Sequence, residues 1–152
     1  MKAVIQRVLR AGVRVDGTVV GEIGPGILVL LAVGLDDEQH QVEWMTEKVS
    51  ELRIFPDEQG RMNRSLLETG GQALVVSQFT LYGDCRKGRR PSYAHSAPAD
   101  IAGIYYQEFV DRMRKKGIHV QEGVFGAHME VELVNDGPVT LIIESPPTKQ
   151  LS

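Results

Sequence analysis

Apolar and polar positions in the first third of the chain alternate with the two-residue period of β-strands. Ala3, Ile5, Arg7 and Leu9 alternate with Lys2, Val4, Gln6 and Val8, and Val13 and Val15 alternate with Arg14 and Asp16. Asp16-Gly17 is a strong hairpin signal, because the tightest hairpin turns need positive φ at both central residues. A second strand follows through Val19, Val20 and Ile23, and Gly24-Pro25-Gly26 turns the chain again. Ile27 to Val33 is then a continuous apolar run, the pattern of a strand covered on both faces.

The period changes after residue 38. Val42, Met45, Val49 and Leu52 fall at helical spacing and predict a helix over 39–52, with Asp36 and Asp37 suited to its N-terminal end. A short strand at 53–55, a loop over 61–71 and a strand over Ala73 to Leu81 follow. Residues 82–97 carry no period and read as a long ordered loop, a feature that compact domains keep for function. A second helix is predicted over 98–116, with Pro98 in its first turn, Ile101, Tyr105, Phe109 and Met113 as its buried stripe, and Gly117 at its C-terminal end. Strands over 118–124, 127–134 and 138–144 complete the pattern.

Seven or eight strands, clustered early and late around two main helices, argue for an α+β fold with a mostly antiparallel, barrel-like sheet. The length of 152 residues fits one domain, over 1–145, with a loose tail over 146–152. A composition of 42% hydrophobic and 24% charged residues is that of a globular protein. Arg7, Arg10 and Arg14 interrupt the N-terminal apolar stretches, and Ile27 to Val33 falls short of a membrane helix, so a soluble cytoplasmic protein without membrane association is expected. The single Cys85 fits a reducing compartment.

The formal net charge of -3 hides an uneven distribution. Span 86–116 holds eight basic residues against three acids, and Arg86, Lys87, Arg89 and Arg90 crowd into five loop positions. Basic residues at the helix end suit its dipole, but that reason does not reach the loop, where contact with a phosphate-rich partner is the functional reading. Tyr82 and Tyr93 flank the loop and could stack on bases.

Familiar catalytic motifs are absent: no G-x-S-x-G, no Walker A loop, no G-x-G-x-x-G and no H-E-x-x-H. The four histidines are scattered, so neither a metal nor a cofactor is expected. Two segments remain. Ser77-Gln78-Phe79-Thr80 ends an apolar strand, where its polar groups either satisfy strand-end hydrogen bonds or line a site. Thr80 would need a nearby base to act as a nucleophile, and the sequence offers none locally. Gly137-Pro138 is either a plain hairpin turn or a rigid turn that fixes two carbonyls in space.

With SQFTL intact at Ser77–Leu81 and GPVT intact at Gly137–Thr140, the chain closely resembles the D-aminoacyl-tRNA deacylase family from MKAVIQRV to NDGPVT. The resemblance implies a homodimeric hydrolase that cleaves D-aminoacyl-tRNA and glycyl-tRNA. It implies a cis Gly137-Pro138 peptide that enters the partner subunit's pocket and excludes L side chains, with Arg7 holding that turn. Ser77, Gln78, Phe79 and Thr80 would line the pocket. Backbone N–H groups near Phe79 and Thr80 would polarise the ester carbonyl, and the 2′-hydroxyl of the terminal ribose would assist. Thr80 as a nucleophile is the second alternative.

Overall fold

A computed structural model describes residues 1–148. Among them eight strands form one six-stranded sheet and one two-stranded ribbon. The long β1 (Lys2–Val15) organises the large sheet. Along one edge its first half pairs with β3 (Gly26–Ala32) and its second half with β2 (Thr18–Ile23), both antiparallel. Its other edge pairs with β8 (Glu130–Glu144). The hairpin between β1 and β2 turns on Asp16 and Gly17, at φ of 49° and 77°, as the Asp-Gly pair predicts.

From β3 the order continues through two parallel neighbours, β6 (Gln72–Ser77) and β7 (His119–Glu122). The sheet curls until β7 approaches β2, where a Cβ on Gly21 would stand 2.5 Å from the Glu122 carbonyl oxygen. Closure of this kind hides strand edges and gives the barrel-like form the patterning implied. Val8, Ala11, Val13, Ile23, Leu28, Leu74 and Val76 fill its interior.

The opposite sheet face carries Ile5, Ile27, Val29, Leu31, Ala73 and Val75, packed against α1 (Gln39–Glu51) and α3 (Ala99–Lys115). Both faces of β3 are therefore buried, which is why Ile27 to Val33 reads as an unbroken apolar run. The start of α1 differs from expectation. Glu38 is the N-cap, its amide donating to Gln41 Oε1 at 2.7 Å, while Asp37 Oδ2 accepts from the Gly34 amide. In α3, Pro98 is the N-cap residue, and Ala102, Tyr106, Phe109, Val110 and Met113 are buried. Ile101 is 43% exposed, so the predicted stripe is rotated by about one position. Gly117, at φ 92°, follows the helix end.

The predicted loop over 61–71 contains structure. β4 (Phe55–Pro56) and β5 (Met62–Arg64) form the small ribbon. The one-turn α2 (Leu66–Thr69) follows, with Ser65 and Glu68 exchanging side-chain and backbone hydrogen bonds at 3.1 Å. The predicted strand over Ala73 to Leu81 is also shorter. β6 stops at Ser77, and a 3-10 turn, Phe79–Tyr82, replaces its end. Of the expected tail, Thr148 Oγ1 accepts from Gln41 Nε2 at 3.1 Å, and 149–152 lie outside the described residues. Among the described residues no helix is long and apolar enough to cross a membrane.

Candidate active site

The 3-10 turn places the candidate chemistry. The Gln78 amide donates to the Leu31 carbonyl at 2.8 Å, a last tie to β3 before the chain leaves the sheet. Leu81 and Gly83 donate back to the Gln78 and Thr80 carbonyls, closing the turn. Its first two amides have no carbonyl behind them. Among the described residues no acceptor takes a hydrogen bond from the Phe79 or Thr80 N–H. Two adjacent free donors at the N-terminal end of a turn are suited to a developing oxyanion.

A cavity of about 600 Å³ opens beside this turn. One wall is the end of β6 with Ser77, Gln78 and Phe79, and the other is Phe125 to Met129 between β7 and β8. Ala97, Ala99 and Ala102, around the start of α3, floor it with small side chains. Phe79 is 55% exposed and meets Tyr93 edge-to-face, ring centres 5.1 Å apart. Tyr106 pins α3 beneath the cavity, donating its hydroxyl to the Val75 carbonyl at 2.9 Å. Burial pushes the Tyr106 hydroxyl pKa well above its usual value, so it stays a donor. Thr80 stands on the turn outside the lining, and its hydroxyl accepts from Gln78 Nε2 at 2.5 Å. No base is hydrogen-bonded to Thr80 among the described residues.

The remaining expected site residues lie elsewhere. Gly137 and Pro138 are exposed, joined by a cis peptide, and line no part of this cavity. Arg7 sits under their turn, Nη1 donating to the Ile54 carbonyl at 2.6 Å and Nε 3.0 Å from Asp136 Oδ2. In the 82–97 loop, Asp84 and Ser92 exchange two backbone hydrogen bonds, which closes the tip. Arg86 folds onto Asp84 through two contacts of 2.9 and 2.7 Å, holding that carboxyl well below the ordinary carboxylate range. On α3 and its C-cap, Arg112, Arg114 and Lys116 pair with Glu43 and Glu108, Glu122 and Glu47 respectively. Lys87, Arg89 and Arg90 are exposed and form no ion pair among the described residues, so the basic surface is narrower than the sequence count implies.

A larger cavity, about 710 Å³, lies behind Tyr82 and is lined by charges of both signs, among them Lys2, Asp37, Arg86 and Glu144. It holds none of Ser77 to Thr80, so the smaller, more apolar cavity is the candidate site. Phe125 to Met129 carry no site reading in the sequence, and 127–129, expected to open a strand, precede β8, which starts at Glu130. Their only local signal is Phe-Gly-Ala between two strand patterns, with Gly126 at φ 79°.

The family model for D-Tyr-tRNA(Tyr) deacylase matches residues 4–144. The chain belongs to this deacylase family. Its relatives include proteins named D-aminoacyl-tRNA deacylase from Thermosipho africanus, 59% identical over 145 residues that cover 95% of this chain and 97% of that one. The namesake from Desulfitobacterium hafniense is 56% identical with the same coverage. A solved structure named c-Myc DNA Unwinding Element Binding Protein is 42% identical, covers 96% of this chain and 99% of its own, and superposes with a TM-score of 0.90. A probable eukaryotic D-amino acid tRNA deacylase, 18% identical over 93% of this chain and 97% of its own, shares the fold with a TM-score of 0.82. The deacylase fold thus accounts for the mixed α+β barrel-like sheet, and Ser77, Gln78 and Phe79 of the SQFTL segment form one wall of the cavity.

Proposed function

We propose that this chain hydrolyses the ester between a D-amino acid and the 3′-terminal ribose of tRNA, and that it also accepts glycyl-tRNA. The observation that carries the reading is the pair of free amides at Phe79 and Thr80, beside a cavity, in a member of the deacylase family. Water adds to the ester carbonyl, and the two N–H groups receive the charge that develops on its oxygen. The acyl–oxygen bond then breaks, and the ribose 3′-oxygen leaves with a proton. The neighbouring 2′-hydroxyl assists the proton transfer, a role consistent with the absence of a base at Thr80. Thr80 as the nucleophile ranks second for the same reason.

Selection against L substrates is assigned to the Gly137-Pro138 turn of a second copy. In one chain this turn is exposed and away from the cavity. Among the described residues the outer edge of β8 is unpaired, and Ile142 in β8 is 82% exposed, which favours a partner subunit over that strand. A turn that closes the side of the cavity where an L side chain would project rejects by exclusion, and glycine passes because it has nothing to exclude. Lys87, Arg89 and Arg90 meet tRNA phosphates, while Arg86 braces the loop.

The test is a paired assay with D-tyrosyl-tRNA and L-tyrosyl-tRNA. Release of D-tyrosine with the L ester spared is expected, and no release at micromolar enzyme would overturn the reading. That outcome would leave a non-catalytic nucleic-acid binder, favoured by the unpaired cations of the 87–90 loop. A tRNA ending in 2′-deoxyadenosine should not turn over. Full activity on it would return Thr80 to first place.

A further inference from the structure

The geometry points to Asn135 as the residue that holds the Gly137-Pro138 turn in its working position, and so as a specificity-positioning residue; this rests on the reading of that turn as the stereochemical selector. The register between β1 and β8 breaks at this place. Gln6 faces Thr140 and Val8 faces Asn135, so the segment Asp136 to Val139 stands opposite Arg7 alone. The excess chain has nowhere to go within the ladder and leaves the sheet as a wide bulge. The bulge strips the Arg7 carbonyl of its ladder donor, and Pro138 has no N–H to offer in return.

The side chain of Asn135 fills this gap. Its Nδ2 donates to the Arg7 carbonyl at 2.8 Å and to the Val139 carbonyl at 3.1 Å. A side-chain amide carries two N–H donors, and here both are used, one on each side of the opening through which the turn emerges. The other end of the same amide rests on the turn itself. A Cβ added to Gly137 would stand 2.8 Å from Asn135 Oδ1, so this amide and a side chain at 137 compete for one space. One planar group therefore ties β1 to both ends of the bulge and supports its tip. Arg7 acts on the side, through Asp136 and the Ile54 carbonyl. Asn135 acts on the base, by contacts to the Arg7 and Val139 backbone carbonyls that do not involve the Arg7 side chain.

The test compares kcat/KM for D-tyrosyl-tRNA and L-tyrosyl-tRNA in the full-length protein and in Asn135→Ala and Asn135→Asp. Asp keeps the shape but turns an acceptor toward two carbonyls. Both variants should lower the D-over-L ratio about tenfold, the order that one to two net hydrogen bonds supply, chiefly by letting L ester react. A general loss of structure would lower both rates together and leave the ratio in place, and that result overturns the proposal. An Asp variant with the wild-type ratio also overturns it, since the donors would then be idle. If either variant is too unstable to assay, Asn135→Ser, which keeps one donor, should give an intermediate ratio, and a wild-type ratio there counts against the clamp. A wild-type enzyme without D preference would instead overturn the reading of the turn, and a D-preferring wild type with unmoved variants would overturn Asn135 alone.

Discussion

Tyr106 joins the core to the site through a single atom. Its ring is buried against β6, and its hydroxyl satisfies the Val75 carbonyl two residues before the strand ends at Ser77. Tyr106→Phe leaves that carbonyl with only the Gly123 amide, at 3.2 Å, and should destabilise the fold by about 0.5–1.5 kcal/mol in urea unfolding. Phe79 makes the opposite case, since it is more than half exposed and lines the cavity. Phe79→Ala removes the edge-to-face partner of Tyr93 but keeps the backbone donor, so KM should rise more than kcat falls. Gly26 is constrained by space alone. A Cβ there would stand 1.8 Å from the Gln72 carbonyl oxygen, so Gly26→Ala should part β3 from β6 and lower the melting temperature sharply.

Among the elements, the 82–97 loop is rigid at its base and charged at its tip. The Asp84–Arg86 pair and the Asp84–Ser92 exchange close it without help from a helix or strand. The Asp84 carboxyl is held below its usual value mainly by the Arg86 side chain, so the brace is present above the ordinary carboxylate range and is lost as pH falls through the lowered one. Amide exchange at Ser92 should therefore stay slow at neutral and weakly acidic pH and accelerate only in strong acid. Asp84→Asn should bring that fast exchange to neutral pH while the melting temperature holds. Alanine at Lys87, Arg89 and Arg90 together should flatten the salt dependence of tRNA binding, by a slope of about 0.7–0.9 for each phosphate contact removed. The D-over-L ratio should survive, because the loop touches neither the 3-10 turn amides nor the 136–138 turn.

The whole molecule presents two halves of one proposed site on separate surfaces: free amides at one cavity, and a braced turn on an edge strand. A second copy over β8 would unite them and would cover Ile142. Ile142→Glu should shift the protein to monomer in sedimentation and lower the D-over-L ratio without unfolding it. A monomer that still spares the L ester would overturn the cross-subunit arrangement.

Local periodicity carried much of this protein. The alternation over Lys2 to Val15, the apolar run at Ile27 to Val33 and the Asp16-Gly17 turn each record which faces of a strand are buried, and that is a property of the strand itself. SQFTL and GPVT are also contiguous in the sequence, and through the family resemblance they marked the two segments of the proposed site. What the tertiary structure decided is everything that depends on partners far along the chain. Ile101 and Tyr105 are as apolar as Ala102 and Tyr106, so the rotation of α3 follows from packing on the sheet and from the acceptor waiting at Val75. β6 gives way to a 3-10 turn after Ser77 although strand-forming residues run on to Leu81, and only that break frees two amides. The basic cluster shrank because Glu43, Glu47 and Glu122, distant in sequence, reach the helix cations in space. Phe125 to Met129 joined the cavity, and Asn135 met the Arg7 carbonyl, through sheet register, which no local pattern encodes.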